Sequence, residues 1–444
     1  MDLETARSFG RLAALDRNAL VEALAARFPA TAAELSAARA LAVRGGRDAA
    51  LAVLAAIDPV AYGHSRNHVG GAVTRLSPWI RHGVVSLAEV RDAALARVRR
   101  PEDAEKLVSE LAWRDYWRQV HAALGASIET DIEGPAMLPR RAPLAELPAD
   151  VLAARTGLAC IDAFVTRLHT TGWLHNHERM WLASWLVHAR GVRWQAGADW
   201  FLRHLLDGDP ASNHLSWQWV AGTFSARPYL FNRENLERFT AGVHCTDCAV
   251  RGHCDVEGTY DDLAAQFFAG AAPARHPPPA ALRGRGDRAI VPAGPAPARP
   301  LVWITLGTAS AVGPAAAAFP AAPRLFILDP AWLAAERPSL KRLVFLFECL
   351  ADIPDLLVVE GPPAEVLPAA AAALACDGVA VAWTPCHRDG ATARTVAAAL
   401  PVAVIDEPLF CDRSRVDDLR RFSRYWQKVR DSALRPTGTP PAAG

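Results

Sequence analysis

Apolar residues recur at three- and four-residue spacing through the first 60 positions, as in Leu20, Leu24, Leu51, Leu54 and Ala55, and that period predicts helices with one buried face. The rhythm continues over Leu87 to Val98, Ala104 to Leu124, Ile161 to His169, Glu178 to Ala189 and Ala198 to Leu206. Over 269–299 it breaks: the composition collapses to Pro, Ala, Gly and Arg, including Pro277-Pro278-Pro279, which predicts a mobile linker. Beyond Pro300 short apolar runs, Leu301 to Leu306, Arg324 to Leu328, Asp355 to Val359, Gly378 to Trp383 and Val402 to Ile405, alternate with Ala- and Leu-rich stretches. Such alternation predicts a parallel sheet covered by helices. The expected organisation is multidomain, α plus α/β: a helical domain over 1–268, the linker over 269–299, an α/β domain over 300–434 and a disordered tail over 435–444. No GxGxxG or P-loop follows the first strand, so no nucleotide is indicated in the second domain by motif.

A chain of 444 residues has room for two domains and for burying a large cofactor. Its net charge of +1 gives no general attraction to nucleic acid, so DNA contact would need a local basic surface. Arg97, Arg99 and Arg100, with Arg140 and Arg141, are the candidate phosphate contacts, against the commoner alternative of solvated faces. No apolar run is long enough to cross a bilayer, and Met1 to Leu20 lacks the apolar centre of a secretory signal. The expectation is a cytoplasmic monomer with no membrane partner. Eight cysteines then argue for thiols or metal ligation rather than a disulfide framework. Ten of the fourteen tryptophans lie between Trp79 and Trp219, interleaved with Arg, His and Asp. That stretch either has an aromatic core or surrounds something flat and π-conjugated, a flavin or a base.

Local spacing sharpens the choice. On a helix Glu110, Trp113 and Arg114 share one face at i, i+3 and i+4, and Asn176, Arg179 and Met180 repeat the arrangement with Trp173 one turn earlier. Two such faces could line a shared pocket. The alternative is a surface ion pair between Glu110 and Arg114, with the indoles simply packing. Downstream, Asp207-Gly-Asp209 with Asn213 and Trp217-Gln-Trp219 forms a turn without the ligand pattern of a calcium loop.

In order and spacing, Thr171-Gly-Trp-Leu-His-Asn-His-Glu-Arg-Met180, Trp194, Asp207-Gly-Asp209, Asn213 and Trp217-Gln-Trp219 resemble the FAD-binding domain of the DNA photolyase and cryptochrome superfamily. Upstream, Thr74-Arg-Leu-Ser-Pro-Trp-Ile-Arg-His-Gly83 resembles the segment that holds the flavin phosphates. The resemblance implies FAD contacts at Tyr62, Thr74, Arg75, Leu76, Ser77, Arg114, Asp207 and Asp209, with Arg179 paired to Asp207 beside the isoalloxazine. Asn213 would face flavin N5, where an amide hydrogen-bonds without adding charge. Trp217 and Trp194 match the first two members of an electron-transfer chain whose distal indole has no counterpart between Arg140 and Leu158; Trp181 or Trp185 could replace it or be plain core. Glu110, Trp113, Asn176, Met180 and Trp219 match the lesion pocket of cyclobutane-type photolyases, and neither Asn176 nor Met180 is the His that a (6-4) enzyme carries. The implied function is light-dependent repair: reduced FAD passes an electron to a pyrimidine dimer flipped out of DNA. The alternatives are a cryptochrome-like photosensor and a redox flavoprotein without repair activity.

Cys160, Cys245, Cys248 and Cys254 resemble the ligand layout of iron-sulfur bacterial photolyases, with a shorter last gap, and imply a [4Fe-4S] cluster. Zinc with His244 or His253, or unligated thiols, are the alternatives. Arg324 to Pro330, Leu357 to Leu367 and Arg421 to Trp426 resemble segments of the Rossmann-like photolyase α/β domain that normally precedes the flavin domain, which implies a circular permutation. Gly307-Thr-Ala-Ser310 replaces the usual Arg- and Asp-rich turn after the first strand and leaves an antenna chromophore undecided.

Overall fold

The computed structural model describes residues 15–272, 275–284 and 296–438. Its first part is built on α1 (Arg17–Arg27), α2 (Glu105–Leu124), α3 (Ala159–Thr171), α4 (Asn176–Ser184), α5 (Trp194–His204) and α6 (Pro210–Ala221), joined by shorter helices. Starts and stops follow ordinary capping chemistry. Asp16 accepts from Ala19 N to start α1, Asp209 accepts from Ser212 N with Pro210 in the first turn of α6, and Gly172 and Gly222 take left-handed φ to end α3 and α6. The pattern over Glu178 to Ala189 is only partly α: α4 ends at Ser184 and a π turn covers Trp185–Ala189.

The second part holds β3 (Pro300–Ile304), β4 (Arg324–Leu328), β5 (Leu356–Glu360), β6 (Gly378–Ala382) and β7 (Val402–Ile405), all parallel, in the order β5-β4-β3-β6-β7. The order reverses between β3 and β6, so a crevice opens at the carboxyl ends of those strands. Side chains alternate between faces. Leu301, Trp303, Leu325, Ile327, Val379 and Val381 face one cluster with the helix Pro363–Ala373, whereas Val302, Ile304, Phe326, Leu328, Ala380 and Ala382 face the other way.

That second face is where the two parts meet. Helix α7 (Leu340–Ala351) lies against α1 from the first part and contributes Leu343, Val344, Phe347 and Leu350 to a core that runs on to Leu107, Val108 and Leu111 of α2. Helix α9 (Phe422–Ala433), which follows α8 (His387–Ala397), packs along α2. There Tyr116 Oη donates to Leu419 O at 2.8 Å, and Tyr425 Oη donates to the buried carboxylate of Asp115. The helical and α/β parts therefore share one hydrophobic core, beside a second core within the helical part and a third on the other face of the sheet.

Two boundaries differ from expectation. Of the stretch expected to be a mobile linker, 273–274 and 285–295 lie outside the described residues; its described part contains the end of β2 (Phe268–Ala271), which pairs antiparallel with β1 (Met137–Pro139), and Arg283, which bridges to Asp418. Alternating backbone donors at the end of the helical domain found a partner strand there. The expected tail is also anchored at its start, where Thr437 donates through N and Oγ1 to Asp92; residues 439–444 lie outside the described residues. Among the described residues no helix is long and apolar enough to cross a membrane.

Candidate cofactor and catalytic site

Helix α4 and the turn between α5 and α6 bring four charges together. Arg179 donates from Nε to Leu174 O at 3.0 Å and from Nη2 to Asp207 Oδ2 at 2.9 Å. Arg114, on α2, lies 4.0 Å from Asp209. Burial pushes the Asp207 carboxyl up, but the guanidinium of Arg179 outweighs it and holds it below the usual carboxylate range; burial acts on Asp209 in the same way and is outweighed by Arg114 and Arg81. Both carboxylates are ionised in the interior. Asp207 Oδ1 and Ser212 Oγ are buried and make no close hydrogen bond, although the Ser77 hydroxyl beside Asp207 and the Ser212 hydroxyl beside Asp209 help to hold each carboxyl below its usual range. Asn213, one turn into α6, is buried and donates from its amide to Ala198 O at 2.9 Å.

The segment expected to hold phosphates runs beside this cluster. Arg75 has φ +54°, a conformation that costs an ordinary side chain energy, and its guanidinium sits 4.7 Å over the Trp173 ring. Leu76 is fully buried, Thr74 Oγ1 accepts from Leu76 N at 3.5 Å, and Ser77 begins a short helix, Ser77–Arg81. The Tyr62 phenol is pushed up to about 12 by burial and by Glu110. Glu110 and Arg114 do not pair, as the surface-pair alternative required: Glu110 lies 2.9 Å from Arg66 and 3.6 Å from Lys106, while Arg114 turns to Asp209. Their positions are one turn apart, but buried Asp209 attracts the guanidinium inward.

Arg66 is the residue that sequence reasoning missed. Its side chain holds Glu110 of α2, and its carbonyl meets His175 Nε2 at 3.0 Å; His175 is the N-cap of α4, directly before Asn176. One arginine thus ties the two faces that carry the candidate pocket. Its neighbours His64, Ser65 and Asn67 form no recognisable motif, so no signal marked it. Asn176 Nδ2 lies 3.3 Å from Met180 Sδ, one turn on, and both side chains reach the surface. Trp113 is half-buried with one face stacked on Phe422 at 3.9 Å and 13°, so that face is closed to a base; Trp219, also half-buried, leans on Tyr229.

The two chain indoles are both placed at α5. Trp217 packs flush on α5 at Gly197, where a Cβ would stand 2.2 Å from its ring, and Phe201 meets its edge at 4.9 Å. Trp194 is one turn before Gly197 and meets His214 edge-on at 5.9 Å. Trp181 and Trp185 are core: both are fully buried, with Nε1 donating to Asn235 and Asp255.

Two cavities matter here, and one of them borders the charge cluster. Cys160, Cys245, Cys248 and Cys254 line one small cavity with His244, Arg233 and Arg251, although among the described residues no three ligand side chains converge as a single ion requires. Burial pushes the Cys160 thiol up to about 12 and the Cys245 thiol to about 11, the other cysteines adding to the effect. His253 does not line this cavity. The second, of about 790 Å³, opens at the crevice of the sheet between the parts, walled by Arg114, Asp209 and His214 on one side and Thr305, Asp329, Trp383 and Asp389 on the other. Burial raises Asp389 there to about 6 and lowers His121 to about 4. Of the arginines expected to meet phosphate, Arg97 donates to Ala93 O and Ala55 O, Arg100 pairs with Asp103, and Arg140 donates to Ala265 O.

Residues 107–242 match the model of the FAD binding domain of DNA photolyase. The deoxyribodipyrimidine photo-lyase of Streptomyces griseus is 40% identical over 154 residues, 35% of this chain and 33% of that protein. The chloroplastic/mitochondrial cryptochrome DASH of Ostreococcus tauri is 35% identical over 188 residues, 40% of this chain and 33% of that protein. The matched region thus spans about a third of the length of these curated relatives. Among solved structures, a Synechocystis cryptochrome overlays 46% of this chain and 45% of its own, with a TM-score of 0.41 and 27% identity.

Proposed function

The chain belongs to the photolyase/cryptochrome family by its FAD-binding domain, and on that premise we propose that it repairs cyclobutane pyrimidine dimers in DNA with light. The observation that carries the reading is the buried Arg179–Asp207 and Arg114–Asp209 cluster, whose Asp207 Oδ1 makes no close hydrogen bond; Glu110, Trp113, Asn176, Met180 and Trp219 are each at least partly exposed. Tyr62, Thr74, Arg75, Leu76 and Ser77 hold the phosphate side of FAD; Arg114, Arg179, Asp207, Asp209 and Asn213 hold its ring and ribityl side. When bound, reduced FAD supplies the light-driven electron that opens the cyclobutane ring and takes it back. The protein's part is recognition. Glu110, kept in place by Arg66, hydrogen-bonds the base edge, Asn176 and Met180 border it, and Trp219 with the open face of Trp113 receives the flipped bases.

Cys160, Cys245, Cys248 and Cys254 line one small cavity, and with the resemblance of their layout to an iron-sulfur ligand set this supports a [4Fe-4S] cluster that they would hold. The α/β domain after the helical one is read as a permuted antenna-type domain. The test illuminates reduced holoprotein with dimer-containing oligothymidylate and follows restored base absorbance. Recovery is expected; intact reduced FAD with no recovery sinks the repair reading in favour of a photosensor. Iron and sulfide analysis, with Cys245→Ala alongside, decides the cluster.

A further inference from the structure

We propose that Asp131 is the proton acceptor that ends the electron-hole path through Trp217 and Trp194, an inference that rests on the flavin reading above. Trp194 Nε1 donates to Asp131 Oδ1 at 2.7 Å. The ring of Trp194 is 4% exposed, whereas Asp131 is exposed and lines, with Trp194, an open cleft of about 1250 Å³. The bond therefore joins a buried indole to a carboxylate in contact with water.

The carboxylate is held there by construction. Gln218, fully buried on α6 between Trp217 and Trp219, donates from Nε2 to Ile128 O at 2.8 Å and accepts at Oε1 from Ile132 N at 2.9 Å. Glu133 N adds a bond to Thr223 O at 2.8 Å. The backbone on both sides of Asp131 is thus clamped to the helix that carries Trp217.

The chemistry follows from the chain's missing third indole. With oxidised FAD bound and excited by light, Trp217 would give up one electron to it and Trp194 would refill Trp217 with one. Oxidation makes the indole Nε1–H of Trp194 acidic. Its proton passes to Asp131 Oδ1, so that one electron has gone to the flavin and one proton to the carboxylate, leaving a neutral indole radical and a neutral acid. Return of the electron then requires return of the proton, which lengthens the life of the separated charges. Asp131 hands its proton to water in the cleft, and a thiol reductant in solution restores Trp194. The rival terminus on the same cleft is Trp200, whose Nε1 donates to His169 Nε2 at 3.2 Å.

Flash photolysis of holoprotein with oxidised FAD tests this. Asp131→Asn keeps an acceptor oxygen but no basic carboxylate; because the site is exposed, flavin content reports that the variant is folded. Expected are loss of the deprotonated tryptophan radical in favour of the cation, loss of the solvent deuterium effect on that step, faster recombination and a lower steady photoreduction yield, with Asp131→Glu restoring the wild-type pattern. Unchanged radical spectra and kinetics in Asp131→Asn, or loss of the long-lived radical in Trp200→Phe instead, overturn the assignment. A wild-type protein that holds no flavin or shows no photoreduction defeats the underlying reading; photoreduction indifferent to Asp131 defeats this inference alone.

Discussion

Asp207 is the residue on which the candidate site turns. Buried beside Arg179, it is ionised only because the guanidinium compensates for its lost hydration, and removing one partner of a buried pair leaves the other uncompensated. Asp207→Asn should lower stability toward the low end of roughly 3–5 kcal/mol, since Arg179 remains 25% exposed, and should reduce the flavin retained per protein. Thermal melting and absorbance of the purified variant check both; full flavin content would remove Asp207 from the binding set. Gly197 makes the complementary case. Alanine there drives a methyl into the Trp217 ring, an overpacking cost of about 1–3 kcal/mol, and should lower the melting temperature while slowing flavin photoreduction. A variant that melts like wild type would mean that the indole has room to shift.

Among the helices, α2 does the most: it carries Glu110, Trp113 and Arg114 toward the site and Asp115 and Tyr116 toward α9. The face with Glu110 and Arg114 diverges from the one with Asp115 and Tyr116, and Trp113 lies between them with its ring stacked on Phe422 of α9. Tyr425→Phe deletes the hydroxyl that donates to buried Asp115 and contacts Cys411, leaving Arg413 and the Cys411 thiol as the carboxylate's partners. A loss of about 1–3 kcal/mol is expected in denaturant unfolding. If α9 and α2 part, fluorescence of Trp113 should also change, because its stack on Phe422 loosens. Helix positions were readable from periodicity, and so were the strands. The pairing of β1 with β2 was not, because three and four residues carry too little alternation to announce a strand.

Over the whole molecule, acid is the expected weakness. Burial lowers His204 to about 2, His82 to about 3, and His121, His175, His177 and His188 each to about 4. Unfolded, these groups take up protons near 6.5, so the unfolded state binds more protons than the native one between about 6.5 and 4. Their contribution is full above that window and is lost as pH falls through it. Asp389, raised to about 6, runs the opposite way: its contribution is full below the unfolded carboxylate value and is lost as pH rises through 6. Six groups outweigh one, so the melting temperature should fall steadily from pH 7 to pH 4; a flat profile would mean that the histidines are hydrated.

The order of helices and strands was fixed by local pattern, since a period depends only on near neighbours in the chain, whereas the residues offered to a flavin and a lesion, and the four cysteines, came from the resemblance of their motifs to those of a known family. What needed tertiary structure was every relation between distant residues: Arg66 tying Glu110 to His175, the core shared through α7, the cavity between sheet and helices, and the carboxylate of Asp131 on the indole of Trp194. Those contacts join positions 44 to more than 200 residues apart, and nothing in a linear period encodes which distant side chain will fill the space beside a given one.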